Sequence, residues 1–234
     1  MFPIPSYWKT DLTSIDEQAG RIRRADVRVI ARSPGGRPVY AFAYGEKQTI
    51  AQRANYNSAC GARDRRWFDG EGPKKPVVLL IGAVHGHETE GVAALYNLVE
   101  ILENGCDLRG EAHSEIVRAA EKIRLVIVPV ANVDGRARVE PASMVGTSNE
   151  ALRYWGQGTW KDGTLCGWPG CKQCHPMKAD AGFLGGYFND DGINLMHDQF
   201  FHPMAKETQA LLDLAAEEHA DSIIQLHEIG RAHV

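Results

Sequence analysis

No apolar run in this sequence approaches the roughly 20 residues that a membrane-spanning helix needs. The opening residues, Met1 to Leu12, show no basic segment followed by an apolar one, so no secretory signal is expected. Basic tracts are missing too. Lys and Arg number 26 against 30 Asp and Glu, a net charge of −4, which predicts that nucleic acid is not a partner. Cysteine is scarce: five residues, an odd number, three of them bunched at Cys166, Cys171 and Cys174, unlike a disulfide framework. Internal repeats and low-complexity tracts are also absent. What remains is an ordinary soluble composition, 44% hydrophobic and 24% charged over 234 residues, enough for one full core or at most two small ones. A cytoplasmic enzyme is the expectation.

The pattern along the chain alternates strands with helices. Thr13 to Arg24 reads as a short helix with Thr13 as its N-cap. Val27 to Ile30 and Val39 to Tyr44 read as strands joined by Ser33-Pro-Gly-Gly-Arg-Pro38, a hairpin signal. Residues 48 to 75 look like a polar surface connection. Val77 to Ala83 and Ile123 to Val130 are near-continuous apolar runs, the signature of strands buried on both faces. Between them Val92, Leu95, Val99 and Leu102 form a helical stripe that Asn104-Gly105 closes. Residues 140 to 192, rich in Gly, Trp and Pro without a clear period, read as loops around a cleft. A helix from Lys206 to Glu218 and a third apolar strand, Ser222 to Leu226, follow. The order predicts an α/β sandwich around a parallel or mixed sheet.

Chemistry gathers at the strand ends. The run Val77 to Ala83 leads into a turn with His85, His87, Glu88 and Glu90, and the run Ser222 to Leu226 ends at His227. Open α/β sheets place their ligands outside the carboxyl ends of strands. Imidazole nitrogen and carboxylate oxygen are zinc donors, and two His with one Glu leave a fourth position for water, as in catalytic zinc sites. Such an ion makes water nucleophilic near neutral pH and polarises a carbonyl, so amide hydrolysis is the natural use. Spacing alone leaves the register open, because His87 and Glu90 repeat the His85–Glu88 spacing.

Gly82-Ala-Val-His85-Gly-His-Glu88-Thr-Glu-Gly91 resembles the metal-binding turn of the M14 zinc carboxypeptidase family, including its deacylase-like relatives. Ser33 to Pro38 is similar to the family's S-x-x-G-R-P hairpin, Asn132-Val-Asp-Gly135 to its Asn-Pro-Asp-Gly turn, and Glu207-Thr-Gln-Ala210 to the helix before its third ligand. The resemblance spans about residues 27 to 228. It implies a three-layer α/β/α fold around a mixed sheet and one zinc ion per chain held by His85, Glu88 and His227. Peptide or acyl-amino-acid substrates follow from it, as does an arginine that steadies the oxyanion. Of Arg136, Arg138 and Arg153, the last is the candidate. Asn132 and His197 are the expected substrate contacts.

Two departures stand out. Where the family has an Asn-Arg pair for a substrate's terminal carboxylate, this chain has Met196 and His197, which lack the planar, permanently charged fork. The family's general base is a Glu on a strand well beyond the third ligand, and only seven residues follow His227. Glu228, on an extended strand, would face away from its neighbour. The expectation is a single catalytic domain over residues 1–228, missing its C-terminal part. Residues 229–234 (Ile-Gly-Arg-Ala-His-Val) match a reading frame of a common sequencing adapter and read as a non-native tail.

Cys171-Lys-Gln-Cys174-His175 formally matches the attachment pattern of c-type haem, and with Cys166 it offers four structural zinc donors. The uneven spacing favours a chance match over either. The sequence thus points to zinc-dependent, metallocarboxypeptidase-like hydrolysis of a peptide or amide bond, with this polypeptide inactive for want of its base. An N-acyl amino acid deacylase on the same scaffold and a non-catalytic metal- or peptide-binding relative are the alternatives.

Overall fold

The computed structural model describes residues 3–48, 61, 63 and 75–227. The expected connection over residues 48 to 75, Glu228 and the tail therefore fall almost wholly outside the described residues. Among the described residues, helices α1 (Leu12–Arg21), α2 (Thr89–Asn104), α3 (Ser114–Ala120), α4 (Val133–Arg138), α5 (Asn149–Gln157), α6 (Trp168–Gln173) and α7 (Lys206–Glu218) are interspersed with seven strands. Five strands form the central sheet: β1 (Ala25–Arg32), β2 (Pro38–Tyr44), β3 (Val77–Gly82), β4 (Arg124–Val128) and β7 (Ser222–Leu226). Their spatial order is β1-β2-β4-β3-β7, while β5 (Gly158–Trp160) and β6 (Ala181–Leu184) pair separately. β1 with β2 and β2 with β4 are antiparallel, whereas β3 is parallel to both β4 and β7. The sheet is mixed, as the sequence predicts.

Strand alternation builds two cores. Val126 and Val128 of β4 pack with Leu79 and Ile81 of β3 and with Leu214 of α7. Their neighbours Leu125 and Ile127 face the other way, onto Leu95, Val99 and Leu102 of α2. Helices thus cover both faces, an α/β/α sandwich. The stripe Val92, Leu95, Val99 and Leu102 is buried throughout, and each such side chain contributes about 2 kcal/mol of hydrophobic stabilisation. Gly105 ends α2 in the left-handed conformation (φ 80°), from which its N–H reaches the Ile101 carbonyl.

Three local expectations change. The N-cap of α1 is Asp11, whose carboxylate accepts the Ser14 N–H at 2.8 Å, rather than Thr13. Residues 140 to 192 are not all loop: they hold α5, β5, α6 and β6, too short to show a period, around a small core of Cys166, Cys171, Met177 and Phe188. The third apolar strand, whose composition suggests burial like that of the other two, is the edge of the sheet among the described residues, with Ile223 and Ile224 51% and 45% exposed.

Candidate metal centre

Register brings the strand ends together. Gly82, the last residue of β3, lies opposite Leu226, the last of β7, in a parallel pair. His227 is one residue past that pair and His85 is three past it, so two positions with 141 residues between them in the chain meet in a single neighbourhood. Ala83 adopts a left-handed backbone (φ 43°), a conformation that costs a non-glycine residue about 1–2 kcal/mol and turns the chain out of the sheet. Gly86 then passes so close to Gly135 and Arg136 that no β-carbon fits there, and its N–H donates to the Gly186 carbonyl at 2.6 Å. Glu88 is the residue before α2 and makes no capping bond with its side chain, which is turned instead to His85.

The donor atoms of His85, Glu88 and His227 lie within 4.8 Å of one another. Nδ1 of His85 is 2.8 Å from Oε1 of Glu88, and Nε2 of His227 is 3.5 Å from the same oxygen. The rings of His85 and His227 meet edge to face at 4.9 Å. His85 and Glu88 are buried, while His227 keeps a third of its side chain exposed and leaves the group open on that side. The overlapping pair is not assembled: Glu90 accepts instead from the Ser143 hydroxyl at 3.3 Å.

Hydrogen bonding fixes which nitrogen of His85 faces the carboxylate with a lone pair. Oδ1 of Asn194 accepts the Met196 N–H at 3.0 Å, so that atom is the amide oxygen, and its other neighbour is Nε2 of His85 at 3.1 Å. An oxygen there requires Nε2 to carry the proton, which leaves Nδ1 unprotonated in the neutral ring. Two acceptors, Nδ1 and Oε1, then stand 2.8 Å apart, an arrangement that needs a proton or a cation. Oε2 of Glu88 is buried without a hydrogen-bond partner among the described residues. A buried carboxylate with an orphaned oxygen beside two imidazoles fits a borderline-soft dication taking N and O donors.

Around the donors, Tyr187 packs edge-on to His85 at 4.2 Å and to His87 at 4.9 Å. His87 is buried, and burial, followed by the charges of His85, His227 and Arg136, lowers its pKa to about 3, so it is a neutral packing element at physiological pH. Neither Asn194 nor Tyr187 was singled out from sequence; the Gly192-Ile-Asn194-Leu stretch carried the only signal for the former.

The remaining candidates are dispersed. Asn132 is fully buried and caps α4: its oxygen accepts the Gly135 N–H at 2.9 Å, and its nitrogen donates to Gly186 and Tyr187 carbonyls at 3.1 and 3.3 Å. His197 is exposed on a short turn, its ring 5.0 Å from that of Trp168. Arg153, on α5, donates to the Cys166 carbonyl at 3.0 Å. Arg136 is buried on the carbonyls of Gly86, Val139 and Pro141, and burial lowers its pKa to about 10. Arg138 pairs with Asp190 at 2.5 Å. Cys166, Cys171 and Cys174 are free thiols that form no converging three-donor group with His175. Asp107, Glu111 and His113 do converge, but Arg109 already neutralises them at 2.8 and 3.1 Å.

The sequence profile of the M14 zinc carboxypeptidases matches residues 18–233. The chain belongs to the zinc carboxypeptidase family. Members of this family use zinc, and the donors described above are of the kinds zinc takes. No curated protein sequence matches the chain. Among solved structures, a metallo-carboxypeptidase from Burkholderia cenocepacia is similar over 93% of this chain and 40% of its own, with 17% identity and a TM-score of 0.52. Carboxypeptidase A from Helicoverpa armigera is similar over 96% and 47%, with 17% identity and a TM-score of 0.50. Thrombin activatable fibrinolysis inhibitor is similar over 96% and 49%, with 13% identity and a TM-score of 0.50. This zinc carboxypeptidase homologue therefore shares their fold and spans less than half the length of each. Among the described residues no helix is long and apolar enough to cross a membrane.

Proposed function

We propose that this chain carries the metal centre of a zinc-dependent hydrolase, metallocarboxypeptidase-like, that cleaves a peptide or amide bond. The convergence of His85, Glu88 and His227 donors within 4.8 Å carries the reading. Nδ1 of His85, the Glu88 carboxylate and a His227 nitrogen would hold one zinc ion. Bound there, zinc supplies Lewis acidity, which polarises a carbonyl and makes water nucleophilic near neutral pH. Asn194 keeps the His85 lone pair turned inward, and Tyr187 with His87 walls the buried side against water. His227 marks the open side from which a substrate enters.

Arg153 is assigned the oxyanion role if it turns from the Cys166 carbonyl to substrate, and His197 a substrate contact beside Trp168. Asn132 supports the wall through the Tyr187 carbonyl rather than through an exposed amide. Amide hydrolysis also requires a general base, and Glu88, the carboxylate paired with both His85 and His227, is committed to the ion. Zinc binding is expected from this polypeptide, with amide turnover a separate readout. Met196 and His197, in place of a guanidinium clamp, favour an N-acyl amino acid or a modified peptide over an ordinary C-terminal residue as substrate.

Metal analysis after zinc loading and gel filtration tests the centre. One zinc per chain is expected, lost in His85→Ala and in His227→Ala. Full retention in either variant would refute the assignment.

A further inference from the structure

The Cys171-x-x-Cys174-His175 segment has no part in the centre as described, yet it touches it at one remove. Nε2 of His175 accepts the backbone N–H of Asn194 at 2.8 Å. Asn194 is buried, sits at the start of the turn Leu195–His197, and presents Oδ1 to the Met196 N–H and to Nε2 of His85. The imidazole of His175 thus anchors the main chain of the residue whose side chain orients a proposed ligand. We infer that His175 is a positioning residue, acting through Asn194 to set the tautomer and orientation of His85 for metal binding.

The chemistry is specific. A backbone N–H only donates, so Nε2 of His175 must be the unprotonated nitrogen and Nδ1 must carry the proton. Burial disfavours the imidazolium and lowers its pKa, with Asp198 opposing, so the acceptor persists at neutral pH. Haem or zinc ligation through Nε2 would break this bond, which gives the CxxCH match a different meaning. Cys171 and Cys174 precede His175 in the chain, Cys171 buried in a small apolar core and Cys174 packed against it, which holds the segment in place. Partners one bond removed from a metal commonly change affinity by 10–100-fold, and His175, one step further out, is expected near the low end.

The inference rests on the zinc reading, and the test separates the two. Zinc dissociation constants are measured by chelator competition for the unmodified chain, His175→Ala, His175→Asn and His175→Gln. Gln places its oxygen near the former Nε2 and still accepts the Asn194 N–H; Asn is too short to do so. Loss of about tenfold affinity in the Ala and Asn variants, with recovery to within about threefold in Gln, is the expected result. A Gln variant as weak as Ala would overturn the inference. Imidazole ¹⁵N spectra of the metal-free, unmodified chain provide a second measurement that needs neither zinc nor a folded variant. His175 protonated on Nδ1 and His85 on Nε2 support the relay, and the opposite tautomer at His175 overturns it. If zinc binding proves insensitive to His85→Ala while both tautomers are as stated, the metal reading fails, and what stands is the positioning of His85 by His175 through Asn194, without its role in metal binding.

Discussion

A β-carbon built on Gly91 would stand 2.7 Å from Cβ of Leu226 and 2.9 Å from its carbonyl oxygen, so the first turn of α2 rests directly on the last residue of β7. Glu88 lies just before one partner's helix and His227 just after the other's strand. Their contact therefore sets the spacing of two of the three donors. Gly91→Ala must push helix and strand apart, because backbone at that distance cannot rotate away. The variant is expected to lose about 1–3 kcal/mol of stability, as overpacked sites do. Its zinc affinity is expected to fall about tenfold or more. Urea unfolding and chelator competition measure the two effects; unchanged affinity in a folded variant would show that the contact does not govern donor spacing.

Asp134 ties the β1–β2 hairpin to the turn after β4. Its buried carboxylate accepts the Ser33 hydroxyl at 2.5 Å, the Gly35 N–H at 3.2 Å, Arg37 at 2.8 Å and the Asp190 N–H at 3.1 Å. Asp134→Ala strands these donors, but Arg37 is partly solvent-exposed and keeps Asp190 as a partner at 3.0 Å, so the expected cost is about 1.5–3 kcal/mol, the range for hydrogen bonds to a charged group. Ser33→Ala removes the bond to Asp134 and the one its hydroxyl oxygen accepts from the Arg37 N–H at 3.1 Å, and is expected to cost about 1–2 kcal/mol. The denaturant midpoints of both variants and of the double variant check this, with the double expected to cost less than the sum of the singles.

Asp198 supplies an acid-sensitive clasp before α7. Its carboxylate accepts N–H groups of Gln199, Met204 and Ala205 at 2.7, 2.9 and 2.9 Å. Burial opposes ionisation, but these bonds prevail and hold the pKa below its usual 3.8. Above 3.8 the carboxylate is ionised in both folded and unfolded chains, and its full contribution is present. As pH falls below 3.8 the unfolded chain takes the proton first, so the contribution declines and is gone below the folded-state pKa. Comparing urea midpoints of the protein and Asp198→Asn between about pH 5 and about pH 2 should show their gap narrowing only in the acidic part of that range. A gap independent of pH would mean that ionisation of Asp198 is irrelevant to stability.

Long periodic or uniformly apolar segments were legible in the sequence. The stripe of α2, the helix Lys206–Glu218 and the strand Ser222–Leu226 are where residue pattern places them, because each buries or pairs enough to dominate its local conformation. His85, Glu88 and His227 were legible for a related reason: each follows such a strand, and parallel neighbours align their ends. Asn194, Tyr187 and His175 were not, because their contacts cross between loops and one runs through a backbone N–H that every residue except proline offers. The exposure of β7 was equally hidden, since Ile223 and Ile224 look the same in sequence whether a neighbour covers them or water does. The short elements between residues 149 and 184 escaped because nine residues or fewer cannot display a period.

The flank of β7 that no other described strand covers has a practical corollary for anyone handling this polypeptide. Backbone amides without a strand partner among the described residues, beside two solvent-facing isoleucines, invite another molecule to zip alongside, the usual beginning of self-association through β-sheet margins. His227 is the next residue along, so such stacking would cover the open side of the proposed metal centre. Turbidity and loss of zinc uptake should therefore rise in step with concentration, and Ile223→Lys should relieve both.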